Sequence, residues 1–459
     1  MPSRLPQARA DAAAIAHLAG PLLVNNLATA GMVTADTVMA GWLGARDLAA
    51  VAVGANYVSF FHLGGLGLLM ALSPTVAHAY GAGRNDEVGS FTRNALWLAM
   101  AMALLTCAAL LLAKPVLLAI AIPPDVADLA ARYVRAVAFG VPAMFAFLAM
   151  RFSSEGIGWT RPIMFTAVLA FGANVAGNYV FMYGKFGLPA LGAVGCGVGT
   201  ALASWTVFTF MWCYMRRHRR YAPFRPLQRF ELPDKARLRE ILALGLPISG
   251  SVLAEGGLFA SAGLMLGAFG PTVLAAHAIA INYGALMFMI PLSLHSATTI
   301  HVGHQLGRGD AAAGRFAGWV GMALCVAIMT ISALVLLVFR RQVAGAYTGD
   351  AAVLALATQL LAFVAAFQVA DGLQVGAAGA LRGFKDARVP MLLNVVAYWL
   401  IGFPLAYGFG VVLGQGVRAV WTGLIAGLVV CAVLLSWRYA LITRRAVAAR
   451  AVQGNSGRK

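Results

Sequence analysis

Charge is scarce in this chain. Of its 459 residues only 11% are Asp, Glu, Lys or Arg, against about 25% in soluble globular domains. Acid is scarcer still, with 16 Asp and Glu facing 34 Lys and Arg. A soluble globule with an ordinary charged surface is thereby excluded. Cysteine is sparse as well. Cys107, Cys196, Cys213, Cys325 and Cys431 are odd in number and scattered, so neither a disulfide framework nor a zinc spacing is present. A cleavable signal peptide is not expected. Residues 1–10 carry two arginines, but no clear small-residue cleavage site follows, and Pro21, Asn25 and Asn26 interrupt what would be its apolar core.

What the chain does have is hydrophobicity, at 61% of residues and a mean hydropathy of +0.80. Charge-free or nearly charge-free runs cover 48–83, 94–113, 136–150, 162–184, 186–215, 256–307, 316–339, 351–370, 389–417 and 419–437. A membrane span needs about 20 apolar residues. Dividing 256–307 at Gly270-Pro271 and adding a first span near 13–42 predicts about twelve helices on that length criterion. Lipid admits only helices or closed barrels, and these runs are too long for barrel strands. The fold class is an all-α integral membrane bundle.

Net charge is +18. In a soluble protein that would suggest nucleic acid, but here the excess of positive charge in cytoplasmic loops accounts for it. With the N-terminus inside and the chain alternating through its spans, most of the 34 basic residues fall on the inner side. They include Arg4, Arg9, the cluster from Arg216 to Arg239, Arg382, Arg450, Arg458 and Lys459. No nucleic-acid partner is expected, and both termini are placed in the cytoplasm.

The chain also repeats itself. Leu48-Ala49-Ala50-Val51-Ala52-Val53-Gly54-Ala55-Asn56-Tyr57 matches Leu274-Ala275-Ala276-His277-Ala278-Ile279-Ala280-Ile281-Asn282-Tyr283, identical at six of ten positions. Gly41 and Gly44 precede the first copy as Gly267 and Gly270 precede the second. Gly83-Arg84 recurs as Gly307-Arg308, and Arg161-Pro162 resembles Arg388-Val389-Pro390. Order and spacing persist, which marks a duplicated architecture. An even number of spans per copy makes the halves parallel repeats. The predicted division is a six-helix lobe over 1–215, a basic cytoplasmic linker over 216–240, and a second lobe with a basic tail over 241–459.

Three carboxylates, Asp36, Glu255 and Asp371, lie inside apolar stretches, while the other acids are assigned to loops and segment ends. A charge at the bilayer centre costs roughly 2.5–3.5 kcal/mol on insertion scales, and such groups mark ion or substrate paths. Asn25 and Thr29 share a helix face with Asp36 at 100° per residue. Asn174 and Asn178, one turn apart, project together, and Thr200 is placed to join them. Glu255 and Asp371 lie mid-span with no Lys or Arg at matching depth; Arg382 is eleven residues beyond Asp371, about 16 Å along a helix, so an ion pair is disfavoured. Such acids can release and rebind protons or hold Na⁺ through hard oxygen ligands. His295, His301 and His304 are not expected to form a metal site, because His295 is turned away from His301 on the helical wheel. Arg46-Asp47 and Asp86-Glu87 read as ordinary loop charges.

Several motifs then come together. Asp36-Thr37-Val38-Met39-Ala40-Gly41, Leu48-Ala49-Ala50, Tyr183-Gly184-Lys185-Phe186-Gly187, Gly195-Cys196-Gly197 and Leu381-Arg382-Gly383 resemble the MATE family, multidrug and toxic compound extrusion antiporters of the NorM type. The likeness runs from about residue 13 to about 440 and implies two six-helix lobes. It also implies export of small organic cations driven by Na⁺ or H⁺, across a bacterial inner membrane. By motif position Asp36 corresponds to the first-helix acid used for coupling or substrate, with Asn174, Asn178 and Thr200 around it. Glu255 and Asp371 correspond to the second-lobe acids linked to sodium. Phe367 stands where some relatives have tyrosine, and Thr29 where many have glutamine, so the choice of coupling ion stays open between Na⁺ and H⁺. No cofactor is expected beyond the transported ion. The partners are organic cations, the coupling ion and membrane lipid, and the chain is expected to be a monomer. The alternative is a lipid-linked oligosaccharide flippase of the same superfamily, which would want arginines inside its lobes. An intramembrane transferase is disfavoured, for neither paired Asp motifs nor a nucleophile constellation occurs.

Overall fold

A computed structural model of the chain describes residues 5–456, with side chains placed through residue 448. Arg4, Arg458, Lys459 and the side chain of Arg450 lie outside the described residues. The helices run α1 (Leu5–Gly41), α2 (Ala45–Leu69), α3 (Leu72–Gly81), α4 (Asn85–Leu111), α5 (Ala113–Ala119), α6 (Pro124–Ala138), α7 (Val141–Gly156), α8 (Arg161–Tyr183) and α9 (Ala193–Arg217). After the linker come α10 (Lys235–Gly267), α11 (Pro271–Gly307), α12 (Ala311–Tyr347), α13 (Ala351–Gly383), α14 (Arg388–Val395), α15 (Phe403–Tyr407) and α16 (Val417–Ser456). The expected all-helical membrane fold is present. Among the described residues eleven helical runs are long and apolar enough to cross a membrane, with α2 and α3 counted as one and Arg388–Val412 as another, or 12 if α6 and α7, bent by 49°, count as one span.

Local chemistry sets the helix ends. Pro124, Pro162 and Pro271 sit in first turns, where a missing N–H costs nothing and φ is already helical. The carboxylates of Asp310 and Asp350 accept from the N–H groups of Ala313 and Val353, each at 2.8 Å, capping α12 and α13. Gly44 and Gly270, equivalent in the repeat, precede α2 and α11 with φ of 125° and 98°, a region that a side chain rarely tolerates. The predicted break at Gly270-Pro271 is therefore a real turn.

The chain forms two compact units, residues 24–249 and residues 1–23 with 250–459. This differs from the boundaries expected of the sequence. The first 23 residues belong with the C-terminal half, where His301 Nε2 bonds to Asp11 Oδ1 at 2.8 Å. The basic stretch 216–249 belongs with the N-terminal half. Both α1 and α10 thus change unit along their length, just after an internal proline, Pro21 in one and Pro247 in the other. A helix-interior proline removes one backbone bond and kinks or weakens the helix there.

Within residues 24–249, α8 packs tightly on α9: a Cβ on Gly177 would lie 2.9 Å from Gly199 Cα. In the second unit α13 packs on both α11 and α12 through its glycines. A Cβ on Gly372 would meet Met329 at 2.9 Å, and one on Gly379 would meet the His295 carbonyl at 2.7 Å. Small residues let backbones approach in lipid, where dispersion rather than the hydrophobic effect holds helices together. Between α14 and α16 the chain is only partly α-helical, with π-helical turns at Val396–Gly402 and Gly408–Val412. Such turns frequently accompany functional sites.

Candidate functional site

Each unit holds its own group of polar side chains at membrane depth. In residues 24–249 the centre is Asp36, near the end of α1. Asn178 Nδ2, from α8, donates to Asp36 Oδ1 at 2.5 Å and to Asn174 Oδ1 at 3.5 Å. Asn174 and Cys196 lie close to the Asp36 carboxylate. Both asparagines are buried, and Asn178 Oδ1 has no hydrogen-bond partner. The structure thus brings Asn174 and Asn178, one turn apart on α8, together with Asp36 on α1. Thr200 joins only at one remove: its hydroxyl donates to the Cys196 carbonyl at 3.1 Å. Tyr133 of α6, missed in the sequence, is buried close enough to feel the Asp36 charge.

The polar face of α1 divides. Thr29 Oγ1 donates back to the Asn25 carbonyl at 2.9 Å. Asn25 is buried beside Arg151, and with its amide turned to suit both groups its oxygen accepts from Arg151 Nη1 at 3.1 Å. Arg151 Nε in turn donates to Glu155 Oε1 at 2.8 Å. Glu155 lies in the last turn of α7, at a segment end as the sequence suggests, but its side chain is 1% exposed and is the partner in an i,i+4 ion pair. Asp11, near the start of α1, is likewise buried, against His301. Asp47, read as a loop charge, accepts from the Ala193 N–H at 2.7 Å and fixes the start of α9.

In the second unit Glu255 on α10 and Asp371 on α13 are near enough to repel one another. Asp371 is buried, and its Oδ1 has no hydrogen-bond partner. Arg382, on the same helix as Asp371, is half-buried, and its charge reaches Glu255. Helix length measures distance only along α13, whereas Glu255 approaches from α10. Tyr398, in the first π-helical stretch, is buried, feels both acids and lies beside the Cys431 thiol. Neighbouring Trp399 Nε1 donates to the Ala254 carbonyl at 3.1 Å, holding this stretch against α10 beside Glu255. The π turns leave no signature in composition or periodicity, which is why Tyr398 was not foreseen.

Among the described residues no group of three or more His, Cys, Asp or Glu could hold a metal ion. Glu255 and Asp371 therefore supply two anionic oxygens groups at most, with the Tyr398 hydroxyl as a neutral neighbour. His295 Nδ1 lies 2.9 Å from the Val375 carbonyl while His301 pairs with Asp11, so those histidines face different partners. Phe367, at the position of the missing tyrosine, packs edge-on against Phe259 at 5.9 Å.

Comparison with known proteins identifies the family. The MatE family model matches residues 21–180 and again 247–408, reproducing the internal repeat. The probable multidrug resistance protein NorM of Xanthomonas campestris pv. campestris is 41% identical over 453 residues, spanning 98% of both chains. The multidrug resistance protein PmpM of Pseudomonas aeruginosa is 39% identical over 442 residues, 95% of this chain and 93% of that one. Among solved structures, one described as a crystal structure of MATE in the bent conformation matches with a TM-score of 0.88 at 20% identity, covering 95% of this chain and 96% of the other. Duplicated matches, membrane helices and near full-length relatives lead to one conclusion: this multi-pass membrane protein belongs to the MatE family.

Proposed function

We propose that the protein is a cation-coupled multidrug antiporter. It exports small organic cations across the bacterial inner membrane by alternating access, in exchange for inward Na⁺ or H⁺. The observation that carries this reading is the pair Glu255 and Asp371, two mutually repelling acids at membrane depth, in a chain whose near full-length relatives are named multidrug resistance proteins. A monovalent cation or proton relieves that repulsion. One charge falling through 100 mV yields about 2.3 kcal/mol, before any concentration gradient. Coupling follows if cation and cargo each disfavour the state that holds the other. Asp36, with Asn174, Asn178 and Thr200 around it, is the second candidate site, where a cargo cation or proton meets a carboxylate held by neutral donors. No resident cofactor enters this scheme, and the two sites lie within one chain, consistent with a working monomer.

The deciding experiment is dye efflux from proteoliposomes under a Na⁺ jump and, separately, a pH jump. Glu255→Gln and Asp371→Asn should each abolish cation-driven efflux, and the jump that drives the wild type identifies the ion. Undiminished transport by both single variants sinks the proposal.

A further inference from the structure

The basic linker is not a slack tether. Between α9 and α10 it folds onto α4, and one side chain organises it. Arg93 donates from Nε to Glu231 Oε2 at 2.6 Å and from Nη1 to the Arg225 carbonyl at 2.8 Å. Ser90 Oγ donates to Glu231 Oε1 at 2.6 Å, and Trp97 Nε1 to the Glu231 carbonyl at 2.9 Å. The approach is close: a Cβ on Gly89 would come 2.0 Å from the Phe224 carbonyl. Arg225 itself has a φ of 45°, a left-handed conformation that costs a non-glycine residue of order 1–3 kcal/mol and persists only when surroundings impose it.

The result is an unusual outward face. Glu231, half-buried, is turned toward Arg93 and paired with it, while its neighbours point away: Phe230 is 81% exposed and Leu232 70%. Phe230 meets the half-exposed Trp97 ring edge-on at 6.1 Å. Arg225, Arg229 and Lys235 are exposed along the same stretch. Apolar side chains between unpaired cations, on a loop joining two membrane spans, match a phospholipid surface. Acyl chains take the rings, and headgroup phosphates take the guanidinium groups.

We propose that residues 225–235 form a preformed docking surface for anionic phospholipid, with Phe230 and Leu232 inserted below the headgroups and Arg225 and Arg229 binding their phosphates. The Arg93 clamp withdraws Glu231 from the surface, so that one exposed acid, Asp234, faces three exposed cations, Arg225, Arg229 and Lys235. This inference does not depend on what the protein transports.

The test uses the full chain in nanodiscs that carry a photoactivatable phosphatidylglycerol or the matching phosphatidylcholine, with labelled peptides mapped by mass spectrometry. In the wild type the peptide spanning 225–235 should favour the anionic probe, by about fivefold for each arginine that engages a headgroup. Arg225→Gln with Arg229→Gln should erase the preference, and the corresponding pair of lysine substitutions should restore it. Phe230→Ser with Leu232→Ser should lower labelling by both probes. These are exposed side chains, and Arg225 is clamped through its carbonyl, so the melting temperature serves as the fold control. Equal labelling of the wild type by both probes, or a preference that survives loss of both arginines, overturns the proposal. So does a loop shielded from both lipids by a second copy of the chain or by a soluble protein.

Discussion

Asn178 donates an amide hydrogen to the Asp36 carboxylate at 2.5 Å, across from α8 to α1, while its own amide oxygen stays buried and without a hydrogen-bond partner. A donor to an ionised carboxylate is worth about 1.5–3 kcal/mol. Asn178→Ala should therefore cut transport about tenfold or more, on that same scale. Asp36→Asn should cost at least as much. Because the two act as one unit, the double variant should be no worse than the poorer single one. Losses in efflux assays that simply multiply would show that the residues work independently.

Gly199 tests the same contact from behind. A Cβ there would lie 2.3 Å from Asn178 Oδ1 and 2.9 Å from the Asn178 backbone nitrogen. Gly199→Ala should lower stability by about 1–3 kcal/mol, as overpacking does, and impair transport with it. Gly172→Ala, on α8 with nothing within 4 Å of the new methyl, should leave both intact. Thermal unfolding in detergent, read beside efflux, separates the two outcomes.

Glu155→Ala would strand Arg151 in a buried setting. Breaking a buried pair costs about 3–5 kcal/mol, whereas replacing both members with apolar residues is often nearly neutral. The single variant should melt well below the wild type, and Arg151→Met with Glu155→Leu should recover most of the loss. A double variant no more stable than the single one would assign Arg151 a role beyond neutralising Glu155.

The linker should loosen in acid. Burial alone would raise the Glu231 carboxyl, but hydrogen bonds from Ser90, Arg93 and Asn94, with the Arg93 charge, outweigh it and hold the group below the ordinary glutamate value. A depressed carboxyl stabilises the fold above its unfolded value, about 4.3, and that contribution is lost as pH falls through the lower, folded value. Proteolysis within 225–235 should be flat from pH 7 to about 5 and accelerate below about 4, the window set by those values. Glu231→Gln should cleave faster at pH 7 and lose the pH dependence. A loop equally protected at both extremes would remove the clamp from the account.

Much of this was legible in the sequence, for reasons that also explain what was not. Spans announce themselves because lipid demands unbroken apolar length, and Gly270-Pro271 announces a turn because few other residues take that backbone. The pairing of Asn174 with Asn178 was legible because helical periodicity fixes which side chains share a face, while their meeting with Asp36 rests on how α8 packs on α1. The pairing of Asp11 with His301 was not, since the residues are 290 apart in sequence and nothing local couples them. The reach of the Arg382 charge to Glu255 is not legible in spacing along one helix, since Glu255 stands on another. Tyr398 was hidden by a π turn, which breaks the 3.6-residue register on which face assignments rest. The linker read as charge alone, because its fold depends on the single inward-facing Glu231.

The Arg151 and Glu155 pair also bears on how the protein is made. Two opposite charges one turn apart on α7 meet as soon as that helix coils, before any neighbour is in place. The nascent segment can therefore partition into lipid as a net-neutral rod, whereas Glu255 and Asp371, carried on separate helices, enter the bilayer before they have met.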